Sequence, residues 1–136
     1  MTTHTIDSLK DLTDIATHFL SQLKTGDVVY LQGDLGTGKT TFTQLLLAAA
    51  GYQGHVKSPT YTLYEYYTTE QHSFYHMDLY RLSDPEELYF LGIDEILNGQ
   101  HIVLIEWPQK GKGILPAATH LLEFSFQNQH RFLTIT

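Results

Sequence analysis

The feature that most constrains this chain is a glycine-rich segment that matches the pattern G-x-x-x-x-G-K-[ST] at every position. It reads Gly33-Asp34-Leu35-Gly36-Thr37-Gly38-Lys39-Thr40. A row of phosphates needs many hydrogen-bond donors that converge on a small concave space. Backbone N–H groups supply these donors only where no Cβ blocks the approach, which accounts for the repeated glycines. The segment therefore predicts a phosphate-binding loop.

The residues around this loop have distinct expected roles. Lys39 brings a positive charge to the β- and γ-phosphates, and Thr40 offers a hydroxyl to Mg²⁺. The helix that follows presents free N–H groups and the positive end of its dipole to an anion. The candidate nucleotide-binding residues are Gly33, Asp34, Leu35, Gly36, Thr37, Gly38, Lys39, Thr40 and Thr41. The alternative is a glycine-rich turn with a solvated lysine, which the flanking strand and helix patterns disfavour.

The hydrophobic pattern predicts the elements on either side of the loop. Apolar residues at three- and four-residue spacing predict a helix from Leu9 to Leu23, capped by Asp7 or Ser8. A short apolar run predicts a strand over Val28–Gln32, directly before the loop. A second helix pattern covers Thr40–Ala50 directly after it.

The second half of the chain predicts more strands than helices. The predicted strands are Tyr61–Tyr67 and Phe74–Tyr80, which form an antiparallel pair, then Ile102–Ile105, Leu121–Phe126 and Phe132–Ile135. A helix is predicted from Asp84-Pro85 to about Leu91, and a loop over Lys110–Pro116. These elements predict an α/β protein with the P-loop NTPase fold, in which residues 1–136 form a single domain and helices flank a mixed β-sheet.

A P-loop enzyme also needs a carboxylate near the metal, normally at the end of an apolar strand. Glu106 ends the run Ile102–Ile105 and is the better candidate for a metal ligand or for orienting water. Asp78 lies near the end of another strand and is the second candidate for the catalytic acid. Either residue alone is also consistent with an ordinary solvated acid at the end of a strand.

Other polar residues allow several interpretations. Thr60 and Thr62 lie where other P-loop proteins carry a mobile metal-sensing threonine, or they are strand residues with high β-propensity. Arg81 and Arg131 are the only arginines, and a surface ion pair is favoured over an arginine-finger role for each. The eight histidines show no metal-ligand spacing.

Composition excludes several function classes. The net charge is −7, so the chain is not expected to hold RNA or DNA unaided. The absence of cysteine excludes disulfides, thiolate metal sites and a cysteine nucleophile. No apolar run has the length of a signal peptide or a membrane span, so the expectation is a soluble cytoplasmic protein.

Four segments together resemble the bacterial TsaE (YjeE) family of ATPases in order and rough spacing. They are the loop Gly33–Thr40, then Ser58-Pro59-Thr60-Tyr61-Thr62-Leu63, then His76-Met77-Asp78-Leu79-Tyr80-Arg81-Leu82, and finally Ile105-Glu106-Trp107-Pro108. The loop is generic, whereas the other three together are specific to this family. The resemblance covers roughly residues 5–115 and shows no departure inside the motifs.

The resemblance implies an ATPase that uses ATP and Mg²⁺ in the formation of N6-threonylcarbamoyladenosine at position 37 of tRNAs reading codons that start with A. It implies TsaD-like and TsaB-like partners that transfer the threonylcarbamoyl group, with tRNA met only through that complex. By position, Thr40 and Glu106 become metal ligands, and Lys39 binds phosphate. Thr62 or Thr60 becomes a switch residue, and Asp78 a catalytic or partner-facing acid.

Two other functions remain open from the residues. A small-molecule kinase uses the same loop, but two arginines in 136 residues are few for a phosphate-screening lid. A nucleotide-binding switch module without meaningful hydrolysis is the other alternative. By analogy, the segment His4–Ser8 is the candidate for contact with the adenine ring.

Overall fold

A computed structural model describes all residues from 1 to 136. In chain order its elements are β1 (Thr2–Ile6), α1 (Leu9–Gln22), β2 (Val28–Gln32), α2 (Lys39–Ala49), β3 (Tyr64–Thr68), β4 (Ser73–Asp78), α3 (Glu87–Phe90), α4 (Ile93–Ile96), β5 (Ile102–Glu106), a 3₁₀ turn (Pro108–Gly111), β6 (His120–Gln127) and β7 (His130–Ile135). No helix combines the length and the hydropathy that crossing a membrane requires.

All seven strands belong to one sheet in the order β1-β7-β6-β2-β5-β4-β3. The four central strands β6, β2, β5 and β4 run parallel. The outer strands are antiparallel to their neighbours. This is the mixed sheet that the sequence pattern predicts, with the strand before the glycine loop at its centre.

Alternate residues of the central strands pack against helices on opposite faces of the sheet. Val29 and Leu31 of β2 belong to the cluster that contains the buried residues of α1 and α2. Val28 belongs to the cluster formed with α3 and α4. Because side chains alternate along a strand, a continuous apolar run is needed when both faces are covered. The apolar sequences of β2 and β5 satisfy this requirement.

Two side chains accept hydrogen bonds from backbone N–H groups at the start of the helix α1. The Ser8 hydroxyl accepts a hydrogen bond from the Asp11 N–H at 3.1 Å, and the Asp11 carboxylate accepts one from the Asp7 N–H at 2.9 Å. Two donors that would otherwise lack partners are thereby satisfied. Of the two predicted caps, Ser8 is therefore the residue that caps the helix.

The strand β1 is not anticipated by the sequence pattern. Its residues Thr2–Ile6 are mostly polar and exposed, and only the last is buried. The strand forms by antiparallel pairing with β7, from Thr2 opposite Ile135 to Ile6 opposite Arg131. Long-range pairing, rather than local hydrophobic alternation, therefore defines this element.

Two strand boundaries also differ from the prediction. The strand predicted from Tyr61 begins only at Tyr64, because Leu63 has a left-handed backbone with φ of 69° and ends a turn. Its N–H donates to the Pro59 carbonyl at 2.8 Å. The next strand ends at Asp78, two residues earlier than predicted. The first difference keeps the residues before β3 in a loop, and the second leaves Leu79 and Tyr80 outside the strand.

The predicted helix after Asp84-Pro85 is shorter than expected. The Asp84 carboxylate accepts a hydrogen bond from the Glu86 N–H at 2.9 Å, and α3 then covers only Glu87–Phe90. Gly92, with φ of 77°, ends that segment as predicted, and the unpredicted helix α4 follows it. The 3₁₀ turn Pro108–Gly111 overlaps the start of the predicted loop Lys110–Pro116.

Replacing Phe42 with alanine is expected to reduce the free energy of unfolding by about 3–5 kcal/mol, because it empties a fully buried site. Phe42 packs against Phe19 of α1 and Phe124 of β6, with ring centroids 6.0 and 5.7 Å away. Urea denaturation measures the change. Phe90→Ala, at a ring that is 91% exposed, is the control and should change stability by less than about 0.5 kcal/mol.

Candidate functional site

Three parallel strands end together around the glycine loop. The loop follows β2, Glu106 ends β5, and Asp78 ends β4. The register places Asp78 opposite Glu106, and Glu106 opposite Leu31. Ligands of open α/β sheets bind outside the carboxyl ends of the strands. Both candidate acids therefore lie at the edge of the sheet where the loop begins.

The glycines of the loop are needed for different reasons. Gly33, Gly36 and Gly38 all have positive φ, at 151°, 80° and 107°. A Cβ on Gly33 would also lie 2.7 Å from the Phe124 carbonyl oxygen of β6, so that position is closed by packing. A Cβ on Gly36 or Gly38 would meet nothing within 4 Å, and the backbone conformation alone favours glycine there.

Lys39 is almost wholly buried, at 4% exposure, at the start of α2. Its Nζ donates a hydrogen bond to the Gly33 carbonyl at 2.5 Å and lies 4.2 Å from the centroid of the Trp107 ring. Burial lowers the pKa of the Lys39 ammonium from its ordinary value. The carboxylates of Glu106 and Asp78 oppose this shift in pKa. The charge of Lys39 is thus poorly solvated and close to the place where phosphates would bind.

Trp107 directly follows the candidate acid Glu106 and has a left-handed backbone with φ of 57°. Its ring also packs against the Tyr80 ring at a tilt of 49°, with centroids 5.1 Å apart. A left-handed backbone is costly for a bulky residue, so surrounding contacts must hold it. The contact with Lys39 is of the cation–π type and is one of these contacts.

Thr40 and Glu106 lie close enough to share one cation. The Thr40 hydroxyl donates to Glu106 Oε2 at 3.3 Å. A hydroxyl and a carboxylate are both hard oxygen donors, and two neighbouring ligands of one Mg²⁺ stand about 3 Å apart. The two residues therefore fit a magnesium ion. No group of three or more His, Cys, Asp or Glu side chains is placed to hold a metal, so phosphates and water would complete the coordination.

Asp78 makes a different set of contacts from Glu106. Its two carboxylate oxygens accept hydrogen bonds from the Tyr80 N–H at 3.0 Å and from the Thr60 hydroxyl at 3.1 Å. Thr60 also lies 2.9 Å from the Ser58 hydroxyl. Asp78 thus anchors the loop that precedes β3, whereas Glu106 contacts the start of α2.

The two candidate switch threonines are separated by the structure. Thr60 contacts Asp78, whereas Thr62 donates to the exposed side chain of Glu65 at 3.2 Å. Neither arginine forms an ion pair with a carboxylate, contrary to the interpretation favoured above. Arg81 instead stacks on the Tyr61 ring at 4.6 Å.

A groove of about 340 Å³ continues from the loop along the surface. Its walls come from the loop and α2, from the end of β1 and the start of α1, and from the β6–β7 hairpin. The lining residues include Thr37, Gly38, Thr41, Ile6, Asp7, Ser8, Phe126, His130 and Arg131. Three residues of the segment proposed for adenine contact, at positions 6–8, therefore line it. Apart from Arg131, which is considered above as an arginine finger, the sequence pattern does not single out the hairpin residues of this wall, because only the pairing of β1 with β7 places them here.

His76 is a further site residue that the sequence pattern does not identify. It is wholly buried, and its Nε2 lies 2.6 Å from Glu106 Oε2. Its position two residues before Asp78 on β4 is a usable signal, because alternate residues of a strand share one face. Its long-range contact with Glu106 depends on the pairing of β4 with β5.

The P-loop NTPase fold is defined by a central parallel strand, a loop whose glycines have positive φ, and a helix that begins with a buried lysine. The sequence profile of the family described as "Threonylcarbamoyl adenosine biosynthesis protein TsaE" matches residues 6–133. The chain therefore belongs to the TsaE family, whose name places it in the biosynthesis of threonylcarbamoyladenosine in tRNA.

Individual relatives agree with this assignment. The chain is 54% identical over 104 residues to the tRNA threonylcarbamoyladenosine biosynthesis protein TsaE of Haemophilus influenzae, which is 76% of this chain and 66% of that protein. The aligned part is thus just under two thirds of that relative. The Bacillus subtilis protein of the same name is 46% identical over 84 residues, covering 62% of this chain and 52% of the relative.

The fold also matches a solved structure. The crystal structure of Bacillus subtilis YdiB superimposes with a TM-score of 0.82 and 30% sequence identity. The match covers 98% of this chain and 83% of the YdiB chain. This chain therefore shares its overall fold with YdiB over nearly its whole length.

Replacing Thr60 with valine is expected to loosen the loop over residues 57–63, because it removes a hydrogen bond to a carboxylate worth about 1.5–3 kcal/mol. The amide of Leu63, which bonds to the Pro59 carbonyl, should exchange its hydrogen faster. Hydrogen-exchange mass spectrometry of peptides from this loop measures the effect. Thr62→Val is the matched control, and equal exchange in the two variants would show that the Thr60–Asp78 contact does not anchor the loop.

Proposed function

We propose that this chain is a weak ATPase that binds ATP with Mg²⁺ in its glycine loop and acts on a complex of TsaD-like and TsaB-like proteins. Its turnover would serve formation of N6-threonylcarbamoyladenosine at position 37 of tRNAs reading ANN codons, in the cytoplasm. The observation that carries the proposal is the contact of Thr40, the last residue of the phosphate-binding motif, with the buried acid Glu106. A phosphate-binding loop alone supports binding, whereas an acid at its metal position supports hydrolysis.

The loop residues from Gly33 to Thr41 supply the phosphate cradle in this proposal. Their N–H groups and the start of α2 face the place where the phosphates bind. Lys39 would exchange the neutral Gly33 carbonyl for phosphate oxygens. Because burial already disfavours the solitary charge of Lys39, negatively charged partners compensate it strongly.

Thr40 and Glu106 supply the metal position. Mg²⁺ would neutralise charge that develops on the β- and γ-phosphates. In the structure, the Thr40 hydroxyl bonds to Glu106 Oε2, so a hydroxyl and a carboxylate are already placed side by side. The other oxygen of Glu106 accepts no hydrogen bond from the protein and is free to orient the attacking water. Asp78, which holds Thr60, is assigned a role in positioning the loop before β3.

The partners are proposed to supply a group that stabilises the transition state, because the two arginines of this chain lie elsewhere. Arg81 stacks on Tyr61 and Arg131 lines the groove, and neither forms an ion pair with a carboxylate. Slow hydrolysis alone and stimulation by partners follow if a partner completes the stabilisation of the transition state. The net charge of −7 opposes direct contact with tRNA, so the partners are assigned that contact.

Purified chain with ATP and Mg²⁺ is expected to hydrolyse slowly, and faster when the TsaB–TsaD complex and tRNA are added. Lys39→Ala should weaken ATP binding in calorimetry by about tenfold to a hundredfold, the loss of a hydrogen bond to a charged group. It should also abolish the stimulated turnover. Lys10→Ala, at an exposed lysine that pairs with Asp14, is the matched control and should behave as the unaltered chain.

Different results of that experiment contradict different parts of the proposal. Unchanged ATP affinity in Lys39→Ala would contradict the phosphate-binding role of the loop. Turnover that does not respond to the partners would contradict their role in the assembly. Tight binding without any turnover would instead favour a nucleotide-dependent switch, and turnover of a small phosphate acceptor would favour a kinase.

Replacing Glu106 with glutamine is expected to leave ATP binding largely intact and to reduce turnover by about a hundredfold or more, because it removes the charged acid. The change in the turnover number at saturating ATP measures the effect. Asp78→Asn is the comparison, since it alters the other acid of the same sheet edge. If Asp78→Asn loses turnover and Glu106→Gln does not, the roles assigned to the two acids are reversed.

A further inference from the structure

We propose that His76 is a positioning residue that fixes the carboxylate of Glu106 for reaction. The inference rests on the proposed ATPase function and adds a residue to it. His76 lies on β4, has no exposed surface and approaches Glu106 Oε2 to 2.6 Å. It touches none of the loop residues by hydrogen bonding, so its effect must pass through Glu106.

The contact with an ionised Glu106 carboxylate requires a proton on one particular nitrogen of the ring. A nitrogen and a carboxylate oxygen at 2.6 Å need a proton between them, and because an ionised carboxylate only accepts, Nε2 donates it. The other ring nitrogen, Nδ1, is buried and has no hydrogen-bond partner. A proton on Nδ1 alone would leave one buried donor unpaired and set two lone pairs against each other. The structure therefore requires a proton on Nε2.

Packing does not explain an imidazole at this position. Phe74 and Met77 on the same strand are wholly buried and apolar. A phenylalanine or leucine at position 76 would fill the core without leaving Nδ1 unpaired, and an unpaired buried polar atom is destabilising. The polar contact with Glu106 is the feature that an apolar residue at position 76 would lack.

The geometry shows what the contact does for Glu106. Oε2 accepts from both His76 at 2.6 Å and Thr40 at 3.3 Å, so the histidine bond is the shorter of the two. If the Thr40 hydroxyl turned to a bound metal ion, His76 would still hold Oε2. A glutamate has several rotatable bonds, and holding one oxygen fixes the direction of the other. His76 thereby leaves Oε1 in a defined position for the attacking water.

The test compares two substitutions, of which one removes the hydrogen-bond donor and the other restores one. His76→Phe keeps a ring of similar size without a donor, whereas His76→Gln places an amide N–H near the position of Nε2. We expect His76→Phe to lower kcat by about 10- to 100-fold, the usual effect of losing a partner that orients a metal-site ligand. ATP affinity should stay within about threefold, because the contact acts on the reacting state. His76→Gln should recover much of the lost kcat.

His120→Phe is the matched control. His120 also pairs with a carboxylate, that of Asp27 at 3.1 Å, but it begins β6 at the opposite edge of the sheet from the loop. Its replacement should leave kcat unchanged. Equal losses of kcat in the His76 and His120 variants would show a general effect on stability and would overturn the proposal.

Two measurements test the proposal without any turnover. Nitrogen-15 NMR of the full chain should show a proton on Nε2 of His76, and an Nε2 without a proton would overturn the proposal. A crystal structure of the His76→Phe variant, or of His76→Gln if the first does not fold, completes the test. The hydrogen bond between the Thr40 hydroxyl and Glu106 should be lost in the phenylalanine variant and kept in the glutamine variant.

These readouts separate the two proposals. If the unaltered chain shows no ATP turnover while NMR and crystallography give the expected results, the proposed ATPase function fails and the positioning role stands. If turnover is present, His76→Phe reacts at the unaltered rate and Glu106 has not moved, the positioning role is overturned and the ATPase function stands.

Discussion

The parallel pairing of β2 with its neighbours β5 and β6 is the constraint on which the rest of the structure depends. It sets Glu106 opposite Leu31, two residues before the glycine loop begins, and β4 then sets Asp78 opposite Glu106. A shift of one residue in this register would turn both acids to the other face of the sheet, away from α2. The apolar residues of β2 and β5, buried on both faces, fix the register through packing on each side. The position of the acids is therefore a consequence of the core.

The charges of the site form one coupled group because the core excludes water from them. Lys39, His76, Asp78 and Glu106 are all buried. His76 is hydrogen-bonded to Glu106, and the carboxylates of Glu106 and Asp78 both act on the Lys39 ammonium. Buried charges are tolerated only when they are paired or hydrogen-bonded. Before phosphate binds, the loop carbonyl, the Trp107 ring and the Thr40 hydroxyl provide these partners. A bound phosphate chain and its cation would replace them with stronger partners.

Local patterns in the sequence predict the central part of the fold closely. The strand Val28–Gln32 has the predicted bounds, and the cap of α1 and the end at Gly92 are where capping residues place them. The edges are predicted less well, because they depend on partners distant in the chain. The polar strand β1 exists through pairing with β7, and the turn at Leu63 requires a left-handed backbone that leucine alone does not signal. The candidate acids were predicted as strand ends, whereas their separate contacts with Thr40 and Thr60 were not.

The sequence by itself determined that the chain carries a phosphate-binding loop between a buried strand and a helix, because glycine, lysine and threonine at fixed spacing meet a chemical need that is local to eight residues. It also identified the family through four short segments. Only the tertiary structure decided that Glu106 contacts Thr40, that Asp78 holds Thr60, and that His76 supports Glu106. These contacts join residues 18 to 66 positions apart. Strand register and burial create them, and neither is encoded in any one segment of the chain.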